Sequence, residues 1–476
     1  MRAACALGAL ALIAGCGSSR GQVNGAAVAP PLLPEAGFVD VPAQPTAATY
    51  VARLFYAFQP ADSDPAHKPL VVLSNGGPGY STSAGLLAFG TGRATLDPAA
   101  PDAPPAANAS RWTAFANLLY VDERLTGFSY ARGLTLQPTC TFSEVEDAAD
   151  FVWVLLDFLD RHPALTGSPV VLGGESYAGT RTDWMLDLLL RYPTESTLGG
   201  AGLRERIQRH YDLVFPRLDG GVVDEAIAAE QFGAQVLIQP IVMGSAQYEA
   251  QFDVDDPYVT AVTDMSPYDV REPPAWLADQ QAAAVAHFGS AADARALLGV
   301  GLDSIAEMAP AARASAYHPD APGSAPPTEA AANQSLDGLL GSLSPPDQYF
   351  VEQGSPCSTP WVPSVPSAAI FVANLRHVRT FITHARYDGV VLTAAIPAAL
   401  QTEGLTVTLD TSPRPGVARP GWFRVALPAL EGDTTAPAKT VEVRFPDYDD
   451  SGHPVASGQP ADLAADVQAF LQSPSN

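Results

Sequence analysis

The stretch VVLGGESYAGTRTDWMLDLLL, residues 170–190, limits the fold more than any other part of this chain. It opens with a β-branched apolar run of strand type. The pattern that follows, from Thr180 to Tyr192, carries Trp184, Met185, Leu188 and Leu189 at the spacing of one helical face. Only a sharp turn fits between the two, with Ser176 at its tip. A strand that feeds straight into a helix cannot return as a hairpin, so it builds a crossover and a parallel sheet.

Other parts of the chain repeat the rhythm. Short apolar runs suited to buried strands lie at 69–74, 118–122, 169–173, 235–244, 378–383 and 441–445. A capping box, Ser143-Glu144-Val145-Glu146, opens a helix. Val145, Ala149, Val152, Leu156 and Leu159 recur along it at helical spacing until His162-Pro163 stops it. Strands alternating with helices predict an α/β fold with a doubly wound, mostly parallel sheet. The 47% hydrophobic and 16% charged composition suits the core that such a sheet requires. Residues 245–370, rich in Ala, Pro and Asp, interrupt the pattern and predict a helical and irregular cap or lid. The core then consists of residues 37–244 and 371–476.

The N-terminus has a different character. Arg2 precedes a short apolar run, and Ile13-Ala14-Gly15 ends at Cys16. The segment resembles a bacterial lipoprotein signal, which implies removal of residues 1–15 and a lipid on Cys16. The chain would then be held at a membrane of the cell envelope, on the periplasmic or outer side. Gly, Ser, Ala and Pro dominate residues 16–36, which read as a flexible tether. With Cys5 and Cys16 set aside, Cys140 and Cys357 are the remaining cysteines. They are expected to form one disulfide, with two free thiols as the alternative. Neither clustered Cys and His nor a HExxH or phosphate-loop motif occurs, so no metal or other cofactor is expected. A net charge of −25 argues against a nucleic-acid partner. Oligomeric state has no signature in the sequence.

Ser176 is a candidate nucleophile because a strained turn between strand and helix exposes its hydroxyl, and the helix N-terminus favours developing negative charge. Gly17-Ser18-Ser19-Arg20-Gly21 matches G-x-S-x-G literally but lies in the tether. Gly127-Phe128-Ser129-Tyr130-Ala131 leads into no helix. A serine needs a base, and the base needs an orienting acid, in the chain order Ser, Asp or Glu, His. Of eight histidines, His453 follows the last apolar run and precedes a closing amphipathic helix, where such a base belongs. Asp388, just past the run 378–383, is the candidate acid, with Asp410 as runner-up. The segment NGGPGYS follows the run 69–74 directly. Its backbone N–H at Gly77, with that of Tyr177, would form an oxyanion hole.

SNGGPGYS, LLYVDERLTGFSYA, GGESYAG, the Asp388 turn and SGHPVASGQP, in this order, resemble the serine carboxypeptidase family. The resemblance implies an α/β-hydrolase fold, a Ser176–Asp388–His453 triad and removal of C-terminal residues from peptides through an acyl-enzyme. It also implies that Asn75 and Glu175 bind the substrate's terminal carboxylate, Glu175 in its protonated form. Leu73 stands where the family usually has Trp, Tyr80 where it has Cys, and Phe89 where it has a second acidic residue. The loss of that acid keeps a different acyl hydrolase, an esterase or an aminopeptidase, as the alternative. A non-catalytic surface binding protein is the third reading.

Overall fold

Strand order is what sets the position of the site. A computed structural model describes residues 32–42, 51–78, 82–95, 106–124, 129–131, 143–194, 202–243, 367–385, 388, 391, 393–414, 417–429, 437–449 and 451–473. Its eleven-stranded sheet has ten strands on one path. In chain order these are β1 (Glu35–Val41), β2 (Ala52–Gln59), β3 (Leu70–Ser74), β4 (Asn117–Val121) and β5 (Val170–Glu175). They continue as β6 (Ala234–Ile238), β7 (Arg379–Ile382), β8 (Thr406–Asp410), β9 (Trp422–Leu427) and β10 (Lys439–Arg444). The spatial order is β1-β2-β4-β3-β5-β6-β7-β10-β9-β8, and Tyr130–Ala131 pairs with β2. Strands β4 to β10 of this path pair in parallel. Antiparallel pairs close both sides.

Alternation along the parallel strands builds the core on two faces. Leu70, Val72, Leu119, Val121, Val170 and Leu172 belong to one cluster. They pack with α1 (Glu144–Arg161), α2 (Ala178–Leu190), α3 (Leu203–Val214) and α4 (Glu225–Phe232). Their neighbours Val71, Leu73, Leu118, Tyr120 and Val171 belong to a second cluster, with Leu463 and Val467 of a C-terminal helix. Beside β7, β9 and β10 a third cluster joins Ile382, Phe423 and Val443 to Phe371 of α5 (Ser367–Asn374) and Leu400 of α6 (Ile396–Thr402). A short α7 (Val455–Gly458) precedes the C-terminal helix, α8 (Pro460–Gln472). Each fully buried Val or Leu adds about 1.5–3 kcal/mol relative to an exposed one.

Ser143 caps α1 as the sequence predicts, its side chain accepting from the Glu146 N–H. The helix ends at His162, before Pro163. The strand expected over 235–244 stops at Ile238. Gln239 has φ 46, Pro240 has no N–H to pair, and the Gln239 N–H donates to Thr383 Oγ1 at 3.0 Å. Pro240 was the available sequence signal for that break. β1 begins at Glu35, two residues before the boundary read from composition, because Ala36 is buried and Tyr56 Oη donates to Glu35 Oε1. At the other end of the insertion, α5 starts at Ser367, inside 245–370, and packs Phe371 into the core. Residues 1–15, read above as a signal, lie outside the described residues, as do Cys16, Cys140, Cys357, Tyr80 and most of the insertion. Among the described residues no helix is long and apolar enough to cross a membrane.

Candidate active site

The chain leaves β3 towards β4 and leaves β5 in the opposite direction, towards β6. Where neighbouring parallel strands diverge in this way, a crevice opens at their carboxyl ends. Asn75 follows β3 directly and Ser176 follows β5, so both lie at that crevice. Ser176 adopts φ 61, a left-handed conformation that costs a non-glycine residue about 1–3 kcal/mol. Hydrogen bonds hold it there. Its N–H donates to Ile238 O at 3.0 Å, and its carbonyl accepts from Gly179 N at 2.9 Å and Ile241 N at 3.0 Å. The half-buried serine is thus turned out of the strand line into the start of α2, the strand-to-helix elbow read from the sequence.

The glycine-rich segment after β3 rests on this elbow. A Cβ on Gly76 would lie 2.6 Å from both Glu175 O and Tyr177 N, and 2.8 Å from Ser176 Cβ, so only glycine permits the approach. Gly77 has φ 108, which a side chain would also oppose. Gly77 and Tyr177, the two expected N–H donors, therefore sit on segments in direct contact.

Asp388 and His453 come from further along the sheet, past β7 and β10. Just beyond those strands, His384–Ala385 and Asp447–Tyr448 form a short parallel ladder that joins the two outgoing segments. Past it, His453 Nδ1 lies 2.9 Å from Asp388 Oδ2, and both side chains are buried. Because the carboxylate is the acceptor, Nδ1 carries the proton and Nε2 is left as the basic nitrogen. Asp388 is oriented in turn by the Val391 N–H, which donates to its Oδ1 at 2.9 Å. Burial alone would lower the imidazole's pKa, but the charge and hydrogen bond of Asp388, aided by Glu175, raise it above its ordinary value. The runner-up acid, Asp410, lies in β8, where it pairs with Arg414 at 3.0 Å and Arg424 at 3.3 Å. His384 is half-buried against Phe445, and burial pushes it down to about 4.

Asn75 and Glu175 meet at the crevice. Asn75 Nδ2 donates to Glu175 Oε1 at 2.8 Å, and Asn75 Oδ1 accepts from Leu86 N at 2.8 Å. Leu86 belongs to a π-helical segment, Ser83–Thr91, which also contains Phe89. The Asn75 N–H donates to Thr82 Oγ1 at 3.0 Å. Burial pushes the Glu175 carboxyl up to about 7, and Asp388 adds to the rise; His453 and the Asn75 hydrogen bond act against it. The shift therefore comes from burial and the Asp388 charge, without a second acid at position 89.

This has a consequence for stability. Between the ordinary Glu value of 4.5 and about 7 the folded protein binds a proton that the unfolded chain releases, so Glu175 lowers stability as pH rises through that window. Glu175→Gln is expected to be neutral near pH 4 and stabilising above pH 7, by roughly 3 kcal/mol. Urea unfolding at both pH values checks this. Equal stability of the two proteins at pH 8 would refute it.

A group that the sequence reading missed lies beneath the elbow. Arg181, in the first turn of α2, is fully buried. Its Nε donates to Asp147 Oδ2 at 2.7 Å, its Nη2 to Glu123 Oε2 at 2.6 Å and its Nη1 to the carbonyl of Asn75 at 2.6 Å. Burial would lower its pKa, but Asp147 and Glu123 outweigh that and hold it above its usual range. An arginine among the apolar residues of a helix just after the elbow was the available signal, and Asp147 of α1 its natural partner.

Comparison with known proteins finds similarity concentrated in the first half of the chain. Residues 29–195 match the family model described as serine carboxypeptidase. Serine carboxypeptidase-like 10 of Arabidopsis thaliana is 34% identical over 131 residues, 27% of this chain and 29% of the relative. Serine carboxypeptidase-like 44 of the same plant is 32% identical over 158 residues, 33% of this chain and 31% of the relative. The chain thus spans about three tenths of the length of these curated relatives. A prohormone-processing carboxypeptidase from Saccharomyces cerevisiae superposes with a TM-score of 0.49 at 15% identity, over 92% of this chain and 91% of the other. Through its residues 29–195, the chain is similar to the serine carboxypeptidase family.

Proposed function

We propose that this protein is a serine exopeptidase that removes C-terminal residues from peptides through an acyl-enzyme. Ser176 Oγ attacks the carbonyl carbon of the last peptide bond, and His453 Nε2 takes its proton. The carbonyl oxygen becomes an oxyanion that accepts hydrogen bonds from the Gly77 and Tyr177 N–H groups. His453 then gives its proton to the leaving amine, and the C–N bond breaks. Water, deprotonated by the same imidazole, hydrolyses the acyl-enzyme and restores the Ser176 hydroxyl. Asp388 keeps the tautomer correct and stabilises the imidazolium. The observation that carries this reading is the buried Asp388–His453 pair on the same row of strand ends as the strained Ser176.

Specificity for a free C-terminus follows from Asn75 and Glu175. A protonated Glu175 can donate to a substrate carboxylate, whereas an ionised one repels it. Two titrations then oppose each other. His453 must be neutral, so activity rises with pH through its raised pKa; Glu175 must be protonated, so carboxylate affinity falls as pH climbs through about 7. The expected kcat/KM profile is bell-shaped for N-blocked dipeptides with a free carboxylate. For a matching ester without that carboxylate it keeps only the ascending limb. Assays of both substrates from pH 4 to pH 9 test the proposal, which fails if no C-terminal residue is released at any pH. Ester cleavage with dipeptides untouched would select the esterase reading that Phe89 favours.

A further inference from the structure

We propose that Arg181 is a positioning residue that sets the two halves of the oxyanion hole against each other. This deepens the serine-hydrolase reading above and rests on it. One half is the segment after β3, the other the residue after Ser176. Arg181 grips both. Its Nη1 donates to the Asn75 carbonyl at 2.6 Å. That carbonyl belongs to the peptide plane leading into Gly76 and Gly77, so holding it fixes how the next amides are aimed. On the other half, the guanidinium carbon lies 5.2 Å from the centre of the Tyr177 ring. The Tyr177 hydroxyl donates at 3.0 Å to Asp147 Oδ2, the same oxygen that accepts from Arg181 Nε at 2.7 Å. The Phe151 ring also packs on the guanidinium, its centre 4.3 Å away.

Stability alone is a poor explanation for this cluster. A buried ion pair often contributes no more than an apolar group of the same volume, because desolvating the charges offsets their attraction. What the guanidinium does provide is three directed donors in one plane. Two of them meet the carboxylates of Asp147 and Glu123, from α1 and from the segment after β4. The third reaches a backbone carbonyl on a third element, the one next to the expected oxyanion donors. An oxyanion stabilises only if its donors are already in place when negative charge develops.

The test uses the full chain with Arg181→Lys, which keeps the charge but cannot make three planar bonds. Arg181→Ala would leave two buried carboxylates uncompensated and need not fold. Glu123→Gln serves as the control, since it disturbs the same cluster while leaving the bond to Asn75. Active sites are titrated with a fluorophosphonate, so that kcat refers to folded, reactive enzyme only. Arg181→Lys should lose about 10- to 100-fold in kcat on peptide and ester substrates, with KM within about threefold of wild type. Glu123→Gln should keep kcat within about threefold. The inference is overturned if titrated Arg181→Lys turns over like wild type, if only KM moves, or if Glu123→Gln loses as much as Arg181→Lys. Wild-type protein unlabelled at Ser176 would instead sink the hydrolase reading, and this inference with it.

Discussion

Ser176→Ala is expected to lower kcat by about 10⁶-fold while leaving the melting temperature almost unchanged. In the proposed reaction the substitution removes the atom that would form the acyl bond, so the remaining groups could assist only direct attack by water. Ala suffers the same left-handed strain as Ser at φ 61, so the elbow's conformational cost stays as it was. The backbone bonds to Ile238, Gly179 and Ile241 also remain. A steady-state assay on an N-blocked dipeptide, with thermal unfolding measured alongside, checks both halves. Residual activity above about 1% of wild type would show that another group supplies the nucleophile.

Asp388→Asn should cost about 10⁴-fold in kcat at neutral pH without unfolding the protein. Asn preserves the shape of the site and can still accept from the Val391 N–H. Its amide donors, however, now face His453 Nδ1, which becomes an acceptor. The ring proton moves to Nε2, the nitrogen that must take the serine proton. The imidazolium also loses the adjacent negative charge that raises its pKa, so the remaining activity should rise at a lower pH than in wild type. A pH–rate profile reads this directly. A loss of less than tenfold would mean that Asp388 does not orient the base. Because the groups act together, Ser176→Ala/Asp388→Asn should be no slower than Ser176→Ala alone by any large factor.

The part of the site held in short segments was legible before any coordinates. VVLGGESYAG carries its own strand, turn and helix start, and NGGPG follows a strand ending in Ser74. Both are local patterns of 10 residues or fewer in a row. Asp388 and His453 were chosen by their place after apolar runs. That Asp388 helps to raise the Glu175 carboxyl was harder to see, because burial and the meeting of the two segments are properties of the folded crevice. The full set of Arg181 partners was hidden for a similar reason. Its acceptors lie on α1, on the segment after β4 and beside β3, at sequence separations of 34, 58 and 106 residues. The antiparallel strands β1, β2, β8 and β9 also escaped, since antiparallel pairs need no crossover helix to announce them.

By itself the sequence determined the alternation of strands and helices, the elbow at Ser176 and the glycines that let another backbone approach it. These follow from periodicity and from steric limits on φ and ψ, which act between near neighbours. Tertiary structure alone decided that the segment after β3 rests on the elbow, that a short ladder joins the Asp388 and His453 segments, and that Arg181 finds three acceptors. Such choices depend on strand order and on the removal of water around buried charge. Neither is a property of any local stretch of chain.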